Sequence, residues 1–225
     1  MIVKTIVDDL NDTNIYIIYD NITKKAIIID PNNFKSVDEF IGSFGLNINY
    51  IILTHEHFDH ILGVNELLDK YGCSLVTSEI CNIGIMNPKI NLSSFSEVLL
   101  YFKNNHNGKA LSAELKEVKS YICRSADICF KKSKILIWNN HKIQMYETPG
   151  HSKGSICIIV DNKYLFSGDS LLKDIDVITR FPGGSTKEYN NITLEFYKSL
   201  DKDIIVYPGH GQSFILKEKF KVEEN

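Results

Sequence analysis

Nine residues, Ile52-Leu-Thr-His-Glu-His-Phe-Asp-His60, hold three of the seven histidines of a 225-residue chain, together with a glutamate and an aspartate. Neutral imidazole and carboxylate are the ligands that borderline divalent metals prefer, and such a set suits zinc, iron or manganese. The remaining candidates recur in similar settings. His151 stands in "TPGHSKGS", Asp169 in "FSGDS" and His210 in "YPGHG", each just past an apolar run. Five of the seven histidines therefore fall in three short segments with the same context, and Asp169 stands in a fourth. Packing or capping roles give no reason for that recurrence.

The apolar runs are the elements that must position these groups. "MIVKTIV", "NIYIIYD" and "KAIIIDP" are β-branched runs separated by Asn/Asp turns and predict an antiparallel meander. Val37, Phe40, Ile41 and Phe44 recur at helical spacing before Gly45, and Leu62, Val64, Leu67, Leu68 and Tyr71 do so before Gly72. "NYIILT" and "CSLVTS" read as strands on either side of the histidine cluster. In the second half, "KILIW", "KIQMYETP", "GSICIIV" and "KYLFSGD" are further strands, with turns at Asn139–His141 and Asp161–Asn162. "TKEYNNITLEFYKSL" predicts a helix and "DIIVYPGHG" a closing strand. Between residues 79 and 133 the pattern is helical, with Leu111, Leu115, Val118 and Ile122 forming a stripe at helical spacing. The expectation is a single α/β domain over 1–225: a four-layer αββα sandwich with a helical insertion around residues 79–133, a lid or partner surface. Every candidate ligand then lies at a strand end, where a rigid sheet presents side chains to one rim.

Composition bounds the function. With 25 basic and 28 acidic residues the net charge is −3, which gives no electrostatic reason to expect nucleic acid. No apolar run approaches the ~20 residues that span a bilayer, and the first residues lack a basic segment followed by a long apolar run. The five cysteines are scattered without C-x-x-C spacing, so neither a disulfide framework nor a cysteine zinc site is expected. The expected setting is cytoplasmic, with a small-molecule substrate and no membrane partner; oligomeric state is not readable. Seven ligand groups exceed one tetrahedral ion and suit two ions sharing a carboxylate. Such a pair, ~3.5–4 Å apart, activates a water between them.

"THEHFDH", "TPGHSKGS", "SGDS" and "YPGHG", in that order, resemble the metallo-β-lactamase superfamily, and within it the short glyoxalase-II-like hydrolases. "FPGGS" (181–185) and "NPKINLSS" (87–94) also resemble segments of that group. The resemblance implies His55, His57 and His151 on one ion, Asp59, His60 and His210 on a second, and Asp169 between them. It implies two divalent metal ions, with zinc expected and iron or manganese also suited. A metal-bridging hydroxide would attack a small acyl substrate, best matched by a thioester of the hydroxyacylglutathione type, with Asp59 orienting it and passing a proton to the leaving group. Glu56 has no ligand role in that pattern and is expected behind the ligands or in solvent.

The departures bear on substrate. In that group a Gly-Arg-Thr-Asp run precedes the Phe-Pro-Gly-Gly turn; here Ile178 stands in place of the arginine and Arg180 in place of the aspartate. Arg180 is the candidate substrate contact. Fifteen residues follow His210, too few for the helical domain with which glyoxalase II proper holds glutathione. Two alternatives share the fold. A persulfide dioxygenase uses one iron on His55, His151 and Asp169, and a catalytically silent metal-binding scaffold would use the 79–133 insertion for a partner. Elsewhere, His106 and His141 read as exposed turn residues, Lys153 as a surface lysine, and Ser170 as a loop hydrogen-bonding group rather than a nucleophile.

Overall fold

The computed structural model describes residues 1–9, 11–98 and 120–220. Two six-stranded sheets carry the structure. The first runs β1 (Ile2–Val7), β2 (Asn14–Tyr19), β3 (Lys25–Ile29), β4 (Asn47–Ile52), β5 (Ser74–Ser78) and β6 (Ile128–Phe130) in sequence order. The β1–β2–β3 meander is antiparallel as expected, and β3 to β6 are parallel. The second sheet comprises β7 (Ser133–Trp138), β8 (His141–Glu147), β9 (Ile156–Val160), β10 (Tyr164–Gly168), β11 (Ile205–Pro208) and β12 (Phe214–Ile215). Its pairs are antiparallel except β10–β11.

The layering follows from strand periodicity, since alternate side chains face opposite sides of a sheet. Along β2, Ile15, Ile17 and Tyr19 pack with Val37 and Ile41 of α1 (Phe34–Phe44) and with Leu67 and Leu68 of α2 (Val64–Tyr71). Tyr16 and Ile18 instead pack between the sheets, against Ile143, Met145, Ile156, Ile158 and Phe166. A third cluster joins Cys157, Ile159, Leu165 and Val206 to Tyr197 on the outer face of the second sheet. Both faces of the central strands are thus buried, which explains why they read as continuous apolar runs rather than alternating ones. The four-layer αββα arrangement expected from the sequence is the one observed.

Local signals account for the boundaries. Asn33 caps α1 by accepting from the Ser36 N–H at 3.1 Å, and Gly45 ends it at φ 60°. Gly72 ends α2 in the same left-handed conformation. Asn139 and Asn140, and Asp161 and Asn162, turn the two hairpins with positive φ, which short polar side chains tolerate.

Three details differ from the expectation, and one lies beyond the described residues. The 79–133 region holds a strand, β6, which extends the first sheet, alongside α3 (Glu79–Ile85); its β-branched signal is one isoleucine in three residues. The helical stripe from Leu111 to Val118, and His106, lie outside the described residues. β11 is not the closing strand, because two-residue β12 follows it. The 186–199 helix is α-helical over Thr186–Glu188 and Leu194–Ser199 but carries a π segment over Tyr189–Thr193. The five cysteines are free. Among the described residues no helix is long and apolar enough to cross a membrane.

Candidate metal centre

The four motif segments meet at one rim of the sandwich because each follows a strand: β4 for residues 55–60, β8 for His151, β10 for Asp169 and β11 for His210. Backbone hydrogen bonds tie these ends together across the two sheets. The Ile156 N–H donates to the Thr54 carbonyl at 2.7 Å, Gly209 N–H to Gly168 O at 2.8 Å, and Asn14 N–H to Gly209 O at 2.7 Å. The loop after β4 closes in a 3-10 turn, Phe58–His60, and the Phe58 N–H donates to the carbonyl of buried Asn91 at 2.8 Å. Asn91 is held in turn by donating to the carbonyls of Ile85 and Tyr121. "NPKINLSS" therefore braces the histidine loop.

All seven expected residues come together. Ligand atoms of His55, His57 and His151 lie within 4.8 Å of one another, as do those of Asp59, His60 and His210. Asp169 stands between the groups. Its Oδ2 is 3.7 Å from His151 Nε2 and 3.4 Å from His210 Nε2, and its Oδ1 is 3.5 Å from His60 Nε2. Asp59 Oδ2 is 3.5 Å from His210 Nε2.

Tautomers follow from the hydrogen bonds on the far side of each ring. Asp30, at the end of β3, accepts from the Thr54 N–H at 2.7 Å, the Thr54 hydroxyl at 2.5 Å and His60 Nδ1–H at 3.1 Å. Because the Thr54 hydroxyl donates to Asp30, its oxygen is left to accept from His55 Nδ1–H at 3.0 Å. One carboxylate thereby sets two imidazoles with Nε2 as the lone-pair atom. His151 Nδ1–H donates to Ile178 O at 2.8 Å and His210 Nδ1–H to Asp12 O at 3.2 Å, with the same result. Such outer partners orient metal-binding histidines and raise their basicity.

The donor set fits divalent cations on this chain's own geometry. His55 Nε2, His60 Nε2 and Asp169 Oδ1 are buried without a hydrogen-bond partner, a costly arrangement unless a cation completes it. His57 Nδ1 and His151 Nε2 approach to 3.0 Å, close enough for one ion to bind both. Electrostatics favour neutral imidazoles in the first group only: burial opposes the charge on His60 and His210, but Asp169 and Asp59 outweigh it and raise both above the usual imidazole range, so a cation there must displace a proton. Burial, reinforced by neighbouring imidazoles, holds His55 well below its usual pKa and His57 down to about 3, so both stay neutral, as ligands must. Burial also opposes the charge on Asp59 and Asp169, but the imidazoles of His60 and His210 outweigh it and hold both carboxyls below the usual range.

A cavity of about 540 Å³ opens over these groups, with Phe58, Leu92, Leu172, Ile175, Ile178 and Phe181 as its apolar walls. Asp12 and Asp176 also line it. Arg180 is exposed and is not among the residues that line the cavity, although Ile178 and Phe181 nearby in the chain are. Glu56 is not in solvent: it is buried, accepting from the Ser152 hydroxyl at 2.8 Å and the Gly154 N–H at 3.4 Å. His141 is half-buried and paired with Asp161 at 2.6 Å rather than exposed, because the two hairpin turns lie side by side. Ser170 serves its loop as expected, donating to Ser167 O at 2.6 Å beside the Tyr197 hydroxyl at 2.5 Å.

Asp30 and Asn11, whose amide donates to Asp59 Oδ2, belong to the site but carry no motif, and Thr54 opens the histidine motif but is not legible there as a support. The one available signal was a carboxylate directly after a buried strand, "IIIDP".

A family model described as the metallo-beta-lactamase superfamily matches residues 8–210. A hydroxyacylglutathione hydrolase from Pelagibacter ubique is 26% identical over 202 residues, covering 89% of this chain and 67% of its own length. The crystal structure of BLEG-1 B3 metallo-beta-lactamase superposes with a TM-score of 0.79 at 24% identity, covering 99% of this chain and 98% of its own. A protein solved in a di-iron-bound form, TTHA1623, gives 0.72 at 20% identity with 98% of each chain covered. With its four motifs gathered at one rim and nearly its whole length matched by the family model, the chain belongs to the metallo-beta-lactamase superfamily.

Proposed function

We propose that this superfamily hydrolase works with two divalent ions, held by His55, His57 and His151 and by Asp59, His60 and His210, with Asp169 shared. The observation that carries the reading is Asp169, whose two oxygens reach toward histidines of both groups at 3.4–3.7 Å. When bound, the ions would supply an activated water and a Lewis acid for a carbonyl. The chain's own residues do the rest. Asp59, steadied by the Asn11 amide, holds a water proton and passes it to the leaving group, while the apolar walls seat the acyl portion and exclude bulk water. Zinc is the proposed metal; a di-iron form of a protein with this fold also supports iron.

The substrate class proposed is a small acyl thioester, and the hydroxyacylglutathione hydrolase name of a relative spanning most of this chain supports it. The leaving thiol is where this chain departs. Ile178, Asp12 and Asp176 line the cavity, so an anionic glutathionyl group would rely on Arg180. The test is hydrolysis of lactoylglutathione beside an acyl thioester with a neutral thiol, by metal-restored protein. Turnover of either that falls at least about 100-fold in Asp59→Asn, with both ions retained, supports the reading. No hydrolysis of either thioester would overturn it. One iron per chain with oxygen consumed would point to the dioxygenase chemistry instead.

A further inference from the structure

A second cavity, of about 490 Å³, lies behind the histidine loop. It shares its framework with the first, because residues one or two positions apart in the same segments face the two spaces. Glu56 lines one and Phe58 the other, Lys153 one and His151 the other, Pro182 one and Phe181 the other. Its walls are apolar, from Ile80 and Ile83 of α3, Ile90 and Pro182. Ile83 is 60% exposed, unusual for a large aliphatic side chain on the lip of a cavity of ligand size.

The charges at this cavity are unbalanced. Lys89 and Lys153 line it and are exposed, and among the described residues neither ammonium has a recorded carboxylate partner. The acid of the lining, Glu56, is buried at 2% exposure and committed to the Ser152 hydroxyl and the Gly154 N–H. Gly84 and Gly154 pack so tightly on Glu56 that a Cβ on either would come within 2.7 Å or less of it, so Glu56 is walled in and cannot swing out to meet the lysines.

From the apolar walls and the two unpartnered ammonium groups, we propose that this cavity is a second ligand site, which takes an apolar chain ending in a carboxylate or other anionic group. The chain lies against Ile80, Ile83 and Ile90, and the anionic end meets Lys89 and Lys153. The proposal does not depend on the hydrolase reading, because binding is measured without turnover.

The test is calorimetric binding of decanoate, decanol and decylamine to the metal-loaded protein, to Lys89→Glu/Lys153→Glu and to Ile83→Glu. These residues are exposed, so the variants are expected to fold. The expected result is decanoate binding about tenfold tighter than decylamine, with the order reversed in the double lysine variant and decanoate binding lost in Ile83→Glu. Decanoate that binds both variants as tightly as the original chain is held elsewhere, for example at the metal centre, and overturns the proposal. Equal affinity for all three ligands also overturns it, since the lysines would then select nothing.

Discussion

Asp30 gives the sharpest prediction, because one isosteric change reverses two tautomers. In Asp30→Asn the amide oxygen keeps the Thr54 N–H bond, now made by Asp30 Oδ1 at 2.7 Å. The amide NH₂ then replaces Oδ2, which accepts from both the Thr54 hydroxyl and His60 Nδ1–H. A donor there forces His60 Nδ1 to accept and moves its proton to Nε2, the atom that faces Asp169 at 3.5 Å. The Thr54 hydroxyl, having lost its acceptor, turns to donate to His55 Nδ1, 3.0 Å away, and His55 Nε2 gains a proton too. Each metal group therefore loses one correctly presented ligand, and removal of such an outer partner typically costs about 10–100-fold in metal affinity, or about 1.4–2.8 kcal/mol per ion. Thr54→Val breaks only the link to His55, so it weakens the first group and spares the second. Competition titration with a chromophoric chelator resolves the two binding steps. Two weakened steps in Asp30→Asn with one weakened step in Thr54→Val are expected. Unchanged affinity in Asp30→Asn, or equal loss of both steps in Thr54→Val, would refute the tautomer reasoning.

Gly209→Ala would place a Cβ 2.0 Å from Asp169 Oδ1 and 2.9 Å from His60 Cε1; we expect bound metal to fall by at least one ion per chain, read by elemental analysis, in protein with unchanged circular dichroism. Tyr197→Phe removes the hydroxyl that meets Ser170 Oγ at 2.5 Å in a buried setting, and should cost about 1–2 kcal/mol by urea denaturation while leaving metal stoichiometry unchanged. Burial opposes the charge on Asp161, but the Lys142 N–H and the His141 imidazole outweigh it and lower its carboxyl pKa. A depressed carboxyl stabilises the fold above its unfolded pKa and loses that contribution as pH falls through the folded value. Asp161→Asn should therefore be less stable by about 0.5 kcal/mol at neutral pH, and thermal melts should show the two proteins converge below about pH 3.8, the ordinary value of an aspartate.

The ligands were legible in the sequence because each sits beside a long apolar strand, and strand ends are the one place where period-2 reading and histidine spacing speak about the same residue. Their support was not. Asp30 reaches His60 across 30 positions, Asn11 reaches Asp59 across 48, and such partnerships exist only once two strands are registered side by side. Glu56 shows the limit from the other direction. It lies inside the motif, yet its environment is made by Gly84 and Gly154, two glycines far apart in sequence whose missing side chains carry the information. Strand β6 escaped because three residues, Ile128–Phe130, are too few to show a period. The π segment at Tyr189–Thr193 was invisible for a different reason: its residues keep helical propensity, and only the hydrogen-bond register changes.

The claim on which the rest depends is that His55, His57 and His151, and Asp59, His60 and His210, hold one divalent ion each around Asp169. A crystal of the metal-restored protein, measured on both sides of the metal absorption edge, tests it directly. The account predicts two anomalous peaks per chain about 3.5–4 Å apart, one beside each group and both within bonding reach of Asp169. A single peak, or two that leave Asp169 uncoordinated, would contradict it.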